Sequence, residues 1–86
     1  PSLLGFRQRS PMTRFFFDYR TGDQALYDYG GQEFRSVQSA EEFAQMIVQD
    51  LSNSLTDDWH GWSVEVRTAE GSRLLSLAVM SPLQAA

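Results

Sequence analysis

The chain of 86 residues has 42% hydrophobic residues, a formal net charge of −4 and no cysteine. This length accommodates one domain with one core, and the absence of cysteine excludes a disulfide framework and a thiolate metal site. The seven basic residues, all arginines, are dispersed along an acidic chain, which argues against binding to a nucleic-acid backbone, and no apolar run approaches the roughly 18 residues of a membrane span.

The beginning of the chain differs from the rest. Residues 1–11 show no periodic pattern, because arginines and a proline interrupt it, and we interpret them as an irregular leader or a cloning remnant. Met12 is then expected to be the natural first residue. We predict a single domain over residues 12–81 and a C-terminal tail over residues 82–86.

A β-hairpin is predicted at the start of the domain. Residues 13–20 alternate in the way that is typical of a strand with one buried face. One face would carry Phe15, Phe17 and Tyr19, and the other Arg14, Phe16, Asp18 and Arg20. Residues 21–23 are predicted to form a turn and residues 25–29 the returning strand, which the glycine pair at 30–31 ends.

One amphipathic helix is predicted in the middle of the chain. It is expected to begin at Ser39, which forms a capping box with Glu42, and to run to about Asn53. Glu41 and Glu42 would favour the positive end of the helix dipole. The residues that share its apolar stripe are Phe43, Ala44, Ile47, Val48, Leu51 and Leu55.

A second hairpin follows the helix. Residues 62–67 alternate, and residues 73–79 form an apolar strand after a turn. The element order ββαββ predicts the α+β class: an antiparallel four-stranded sheet with one amphipathic helix packed on one face. The stripe of the helix is expected to bury itself against Phe15 and Phe17.

Several stretches together resemble a known family. They are MTRFFFDY at residues 12–19, the pattern of Asp28, Gly31, Glu33 and Phe34, the following SAEEFA, and GWSVEVRTAEGSRLLSL at residues 61–77. Over about residues 12–80 they resemble the small bacterial proteins grouped as DUF6894, a domain of unknown function. The resemblance implies a fold and a bacterial origin, and it brings no catalytic residues with it.

The segment DDWHGW is the one place where titratable and aromatic residues are crowded together. Asp57, Asp58 and His60 offer oxygen and nitrogen ligands for a divalent cation. Structural metal sites normally need four ligands and catalytic sites three, so a solvated loop is the preferred interpretation and a weak metal site is an alternative. With a single histidine and no glycine-flanked serine, we predict no catalytic residues, no cofactor and no enzyme activity.

The sheet face that the helix leaves uncovered is the remaining candidate. It would carry Arg14, Phe16, Asp18, Ser63, Glu65, Arg67, Leu74, Ser76 and Ala78. Phe16 and Leu74 interrupt this polar surface, and Tyr27 or Phe6 could extend them into a patch that binds protein. The predicted interaction surface is therefore Arg14, Phe16, Arg67 and Leu74.

These observations predict a cytoplasmic, non-enzymatic binding or self-association module. Its partner is expected to be a protein, either a second copy or another chain, and not nucleic acid or a membrane. A homodimer would use the open sheet face or an edge strand. The alternative is an antitoxin-like or regulatory protein that neutralises a partner protein.

Overall fold

A computed structural model describes residues 11–80, and these residues form one helix and five strands. In chain order they are β1 (Thr13–Arg20), β2 (Ala25–Leu26), β3 (Gln32–Phe34), α1 (Val37–Ser52), β4 (Ser63–Thr68) and β5 (Arg73–Ala78). The predicted α+β class and the antiparallel sheet are confirmed, with five strands instead of four. The predicted leader and tail lie almost entirely outside the described residues.

The sheet is built around β1 and β4, in the order β2-β1-β4-β5. Strand β1 pairs with β4 from Phe15 to Arg20, so that Phe17 lies opposite Val66. Its other side pairs with β2 at one end, where Tyr19 faces Leu26, and with β3 at the other end. Two short strands therefore share one edge of β1, with a gap between them.

Strand β2 is shorter than predicted. A strand over residues 25–29 was expected, but pairing stops after Ala25–Leu26. Beyond it the chain leaves β1, and the Asp28 carboxylate takes the place of a main-chain acceptor: its Oδ2 accepts a hydrogen bond from Phe17 N at 3.2 Å. The predicted turn at the glycine pair is present, with Gly31 at a φ of 69°, and β3 then rejoins the sheet.

Helix α1 begins one turn earlier than predicted. Its N-cap is Ser36, whose Oγ accepts a hydrogen bond from Ser39 N at 3.1 Å. The predicted capping box between Ser39 and Glu42 is therefore wrong, and so is the dipole role of Glu41 and Glu42, because the first turn contains no acidic residue. Ser36 lies two residues after the end of β3. Because the chain is free to turn into a helix there, the helix begins one turn earlier and Ser36 caps it.

The end of α1 agrees with the sequence. Asn53 is the C-cap, and its N–H donates to the carbonyl oxygens of Gln49 and Leu51. Leu55 was predicted to extend the apolar stripe, but it lies beyond the helix and is 100% exposed, because the helical periodicity has already ended. Among residues 11–80, no helix combines the length and the apolarity needed to cross a membrane.

The core lies between α1 and one face of the sheet, as predicted. Phe15 and Phe17 are buried, and the ring of Phe17 meets that of Phe43 edge to face with centroids 5.1 Å apart. Ile47 and Leu51 are partly buried against the same cluster. The apolar stripe of the helix therefore covers the aromatic side chains of β1.

The deepest positions of the core are small or β-branched. Ala40 and Ala44 on the helix are fully buried, and so are Val64 and Val66 on β4. Alanine allows the helix to approach the sheet closely, while each valine contributes roughly 1.5–3 kcal/mol by leaving water. This contact fixes the helix over the central strand pair and leaves the opposite face of the sheet uncovered by any helix of the described chain.

Strands β4 and β5 form the second predicted hairpin. Their register runs from Ser63 opposite Ala78 to Val66 opposite Leu75. A β-bulge follows, because Arg67 next to Val66 pairs with Arg73 and so leaves Leu74 as an extra residue on β5. The bulge was not predicted.

Candidate interaction surface

The sheet face opposite α1, called here the open face, holds two buried carboxylates. Asp18 on β1 is 3% exposed and Glu65 on β4 is 5% exposed. They lie directly opposite each other in the β1–β4 register. Two ionised carboxylates side by side repel each other, so the surrounding cations determine whether this arrangement is stable.

Arg67 is the cation that holds Asp18. Its Nε donates to Asp18 Oδ2 at 2.7 Å and its Nη2 to Asp18 Oδ1 at 3.1 Å, which is the bidentate geometry of a strong ion pair. Burial opposes ionisation of Asp18, but the hydrogen bonds from Arg67 and from Asp28 N outweigh it and hold the pKa of Asp18 below its ordinary value. The same pairing raises the pKa of Arg67.

Glu65 is neutralised from two sides. Arg20 on β1 and Arg73 on β5 each place Nε 3.2 Å from Glu65 Oε1. Two hydrogen bonds raise the pKa of Arg20: the larger effect comes from the bond to the Tyr27 hydroxyl and the smaller from the bond to Glu65. Three arginines on three strands therefore surround the two buried carboxylates, and each carboxylate has at least one cationic partner.

The predicted residues Arg14, Phe16 and Arg67 meet at the segment that links β2 to β3. Arg14 Nη1 donates to Gly30 O at 2.7 Å, and Arg67 Nη2 donates to the Asp28 carbonyl at 3.0 Å. The Arg67 guanidinium lies 4.7 Å from the centre of the Phe16 ring, within cation–π range. These three side chains hold the linking segment against the sheet.

The fourth predicted residue, Leu74, lies on β5 next to Arg73, the cross-strand partner of Arg67. Leu74 is the extra residue of the β5 bulge and is 41% exposed. Phe16 is only partly exposed and lines a cleft of about 380 Å³ with Tyr27, Tyr29, Asp28 and Arg67. Tyr27 does lie beside Phe16, as expected for a patch, whereas Phe6 falls outside the described residues.

Asp28 is a central residue that the sequence interpretation placed in the family pattern but did not assign to the interaction surface. Its Oδ1 accepts hydrogen bonds from Gly30 N at 3.1 Å and Gly31 N at 3.0 Å, while Oδ2 accepts from Phe17 N. Its own N–H donates to Asp18 Oδ1 at 3.0 Å. An aspartate two residues before a glycine pair is the signal of such a side-chain-capped turn, and it could have been used.

The loop that contains Asp57, Asp58 and His60 is organised by local hydrogen bonds. His60 N donates to Asp58 Oδ1 at 2.9 Å, and Asp57 N donates to Ser54 Oγ at 3.2 Å. Across the part of the chain that the structure describes, no group of three or more potential ligand side chains is arranged to hold a metal. The metal site therefore remains a prediction without structural support.

The outer edge of β5 is a second candidate interaction surface, separate from the open face. Within residues 11–80, no strand pairs with the outer side of β5. Val79 N donates to Trp62 O at 2.8 Å, so the main-chain groups of Val79 point towards β4. By alternation, the N–H and C=O groups of Ser76 and Ala78 point outwards, away from the sheet.

A comparison with models of protein families identifies the family of this chain. Residues 14–81 match the model of a domain of unknown function, DUF6894. The chain belongs to the DUF6894 family. The DUF6894 match runs from the second residue of β1 to beyond the end of β5, and it confirms the resemblance seen in the sequence.

The other two comparisons returned no relatives. Neither the curated proteins nor the solved structures contain a match to this DUF6894 chain. Since the description of DUF6894 names no activity, the function of this member has to be argued from its own geometry.

Proposed function

We propose that the protein is a non-enzymatic self-association module that forms a homodimer by pairing the β5 strands of two copies. The observation that carries this proposal is the free outer edge of β5, a strand of six residues that pairs with β4 on one side and with no strand of the described chain on the other. An unpaired edge of this kind is a template for main-chain hydrogen bonds with another chain.

The composition of the edge supports pairing. From Leu74 to Met80 the sequence is LLSLAVM, which contains no charged residue. Edge strands that do not pair with another chain are normally protected by inward-pointing charged side chains, by prolines or by very short length. A bulge disrupts β5 at its first residues, but from Leu75 onwards the strand is regular and uncharged.

The opposite edge of the sheet shows what a protected edge looks like in this molecule. Strands β2 and β3 have only two and three residues. Between them the Asp28 side chain already binds Phe17 N, so this main-chain donor is not available to a partner strand. The asymmetry between the two edges favours association through β5.

The edge is also self-complementary. In an antiparallel pair centred on Ser76, the outward main-chain groups of Ser76 would meet those of Ser76 of the partner subunit. Leu75 would then lie opposite Leu77 of the partner subunit, on the face that carries the core. Arg73 would lie opposite Val79 of the partner subunit, so this register does not place the two Arg73 side chains opposite each other.

The proposal is tested by the mass of the protein in solution. We expect light scattering to give a dimer mass at high micromolar concentration. Ser76→Pro removes one outward N–H and places the proline ring where the partner strand would lie, without removing a hydrogen bond to β4. We expect this variant to be monomeric, while the matched control Ser76→Thr, which keeps the N–H, remains a dimer.

Two outcomes would contradict edge pairing. A monomer mass for the unmodified protein at high micromolar concentration excludes self-association. A dimer that persists in Ser76→Pro places the interface elsewhere. The circular dichroism spectrum of each variant shows whether the monomer has kept its fold, which separates a lost interface from a lost structure.

The antitoxin-like role stays a separate hypothesis, and no contact in the described chain favours it over self-association. A gene for a small basic toxin beside the gene of this protein would support that role, and an isolated gene would count against it.

A further inference from the structure

The gap between β2 and β3 opens into a groove of about 500 Å³ on the helix side of the sheet. It lies at the edge of the sheet opposite to β5, so it is separate from the proposed dimer interface. The residues that line it are Phe17, Tyr19, Leu26, Tyr27, Asp28, Gly31, Gln32, Phe43, Ile47 and Trp59. This volume falls within the range of small-molecule sites.

Aromatic rings form the walls of the groove. Tyr19 and Trp59 meet at an interplanar angle of 74° with centroids 5.9 Å apart, and thus make a corner. Phe17 and Phe43 meet at 69°, with centroids 5.1 Å apart. Tyr27 is also part of the lining, but its ring contacts Arg20 of the open face, 5.8 Å from the ring centre. Several ring faces in different orientations around one space are the arrangement that recognises alkylated ammonium groups.

The charge of the groove is negative. Asp28 is the one ionisable acid in its lining, and none of the described residues that line it is basic. The Asp28 carboxylate accepts hydrogen bonds from main-chain N–H groups of Phe17, Gly30 and Gly31, which are neutral donors. Burial raises the pKa of the Tyr19 hydroxyl and the Asp28 charge raises it further, so the field of this carboxylate reaches the aromatic corner.

The neighbouring arginines are engaged on the open face. Arg67 forms its bidentate pair with Asp18. Arg20 lies 5.8 Å from the Tyr27 ring centre and donates to the Tyr27 hydroxyl, while its Nε binds Glu65. Both cations have carboxylate partners of their own and neither lines the groove, although the Asp28 charge also contributes, after Asp18, to the raised pKa of Arg67.

We propose that this groove binds an organic cation, specifically a quaternary or methylated ammonium group, between Tyr19, Trp59 and the Asp28 carboxylate. An apolar groove without charge would accept neutral and cationic ligands of the same shape equally. The aromatic corner and the acidic group together favour the cation, by cation–π attraction and by charge complementarity. The ammonium group belongs either to a free small molecule or to a methylated lysine side chain.

The test compares two ligands of the same shape. Choline and its neutral isostere 3,3-dimethyl-1-butanol are titrated into the full chain, and binding is followed by amide and indole chemical shifts in NMR. We expect choline to shift the signals of Tyr19, Asp28 and Trp59 and to bind at least about fivefold more tightly than the isostere. Equal affinity for both compounds, or no shift of these signals, overturns the proposal.

Variants locate the site. Trp59→Leu keeps an apolar side chain but removes a ring face, and we expect choline binding to fall to the level of the isostere. Tyr29→Leu is the matched control: it removes an aromatic residue that is 87% exposed and outside the groove, and should leave binding unchanged. If both variants bind choline like the unmodified chain, the ammonium group does not bind at Trp59 and the proposal is wrong.

A charge change provides an independent test on an exposed position of β3. Gln32→Glu adds a negative charge to the groove lining and should tighten choline binding several-fold, whereas Gln32→Lys should weaken it. If neither substitution changes the affinity for choline, the proposal is wrong. A peptide with one trimethyllysine, titrated beside choline, distinguishes the two ligand sources: tighter binding of the peptide assigns the site to a methylated lysine, and equal binding to the free cation.

Discussion

Gly31 shows how a single residue permits the interrupted edge of the sheet. It has a φ of 69°, and a Cβ atom placed on it would lie 2.9 Å from the Phe15 carbonyl oxygen and 2.9 Å from the Phe16 ring. A side chain at this position would therefore be strained both by its backbone conformation and by contact with the main chain of β1. A Cβ atom placed on the neighbouring Gly30 would have open space, because the nearest atom, Asp28 Oδ1, would lie 4.0 Å away.

The two adjacent glycines allow a matched comparison. We expect Gly31→Ala to lower the free energy of unfolding by about 3 kcal/mol, because left-handed strain and the contact with the Phe15 carbonyl add together. Gly30→Ala should change it by less than about 1 kcal/mol. Urea unfolding of the two variants at one protein concentration measures both values. Equal effects would show that the turn does not depend on the conformation of Gly31.

The candidate surface could be predicted in part from single residues. Alternation along β1 and β4 placed Arg14, Phe16 and Arg67 on one face, and the structure brings these three together. The ion pair of Arg67 with Asp18 could not be derived, because it joins residues 49 positions apart and depends on which strands are neighbours. The role of Asp28 had a local signal, but its contacts with β1 depend on the same strand order.

At the level of elements, the start of α1 depends on which serine caps it. Ser36 accepts the hydrogen bond from Ser39 N, and the acidic residues that follow Ser39 suggested a later start. A serine cap with an acidic residue three positions on is a sound local pattern. This pattern does not determine the start of the helix, because β3 ends just before Ser36 and an additional helical turn from there satisfies more main-chain hydrogen-bonding groups.

Alanine substitution distinguishes the two serines. Ser36→Ala removes the cap and should lower the free energy of unfolding by about 1 kcal/mol. Ser39→Ala leaves the Ser36 cap in place and puts a better helix former inside the first turn, so its effect should stay within about 0.5 kcal/mol. Chemical unfolding followed by circular dichroism gives both values. A larger loss for Ser39→Ala would restore the cap predicted from the sequence.

The elements that the sequence predicts well are those whose pattern reports burial directly. Strands β1 and β4 and the apolar stripe of α1 have a side that must leave water, and periodicity shows it. Strands β2 and β3 could not be delimited, because they have two and three residues and no period to detect. The bulge at Leu74 was equally invisible, since it is defined by the register with β4.

At the level of the whole molecule, the two faces of the sheet are stabilised by different forces. The face under α1 is apolar, with Val64 and Val66 fully buried, and its contribution does not depend on protonation. The open face instead buries Asp18 and Glu65 and compensates them with arginines. Acid should therefore weaken the open face first, while the core beneath the helix remains.

The pH dependence of stability tests this division. Because the folded protein holds the pKa of Asp18 below its ordinary value of 3.8, ionised Asp18 stabilises the fold above that value, and the contribution is lost as the pH falls through the lower folded pKa. At pH 7 we expect Asp18→Asn to lower the free energy of unfolding by about 2 kcal/mol. In urea titrations, the difference from the unmodified chain should shrink as the pH falls below about 4. Asp23→Asn, which removes the same charge from an exposed turn, measures the effect of net charge alone. A difference for Asp18→Asn that stays constant down to about pH 2 would show that the ion pair with Arg67 does not stabilise the fold.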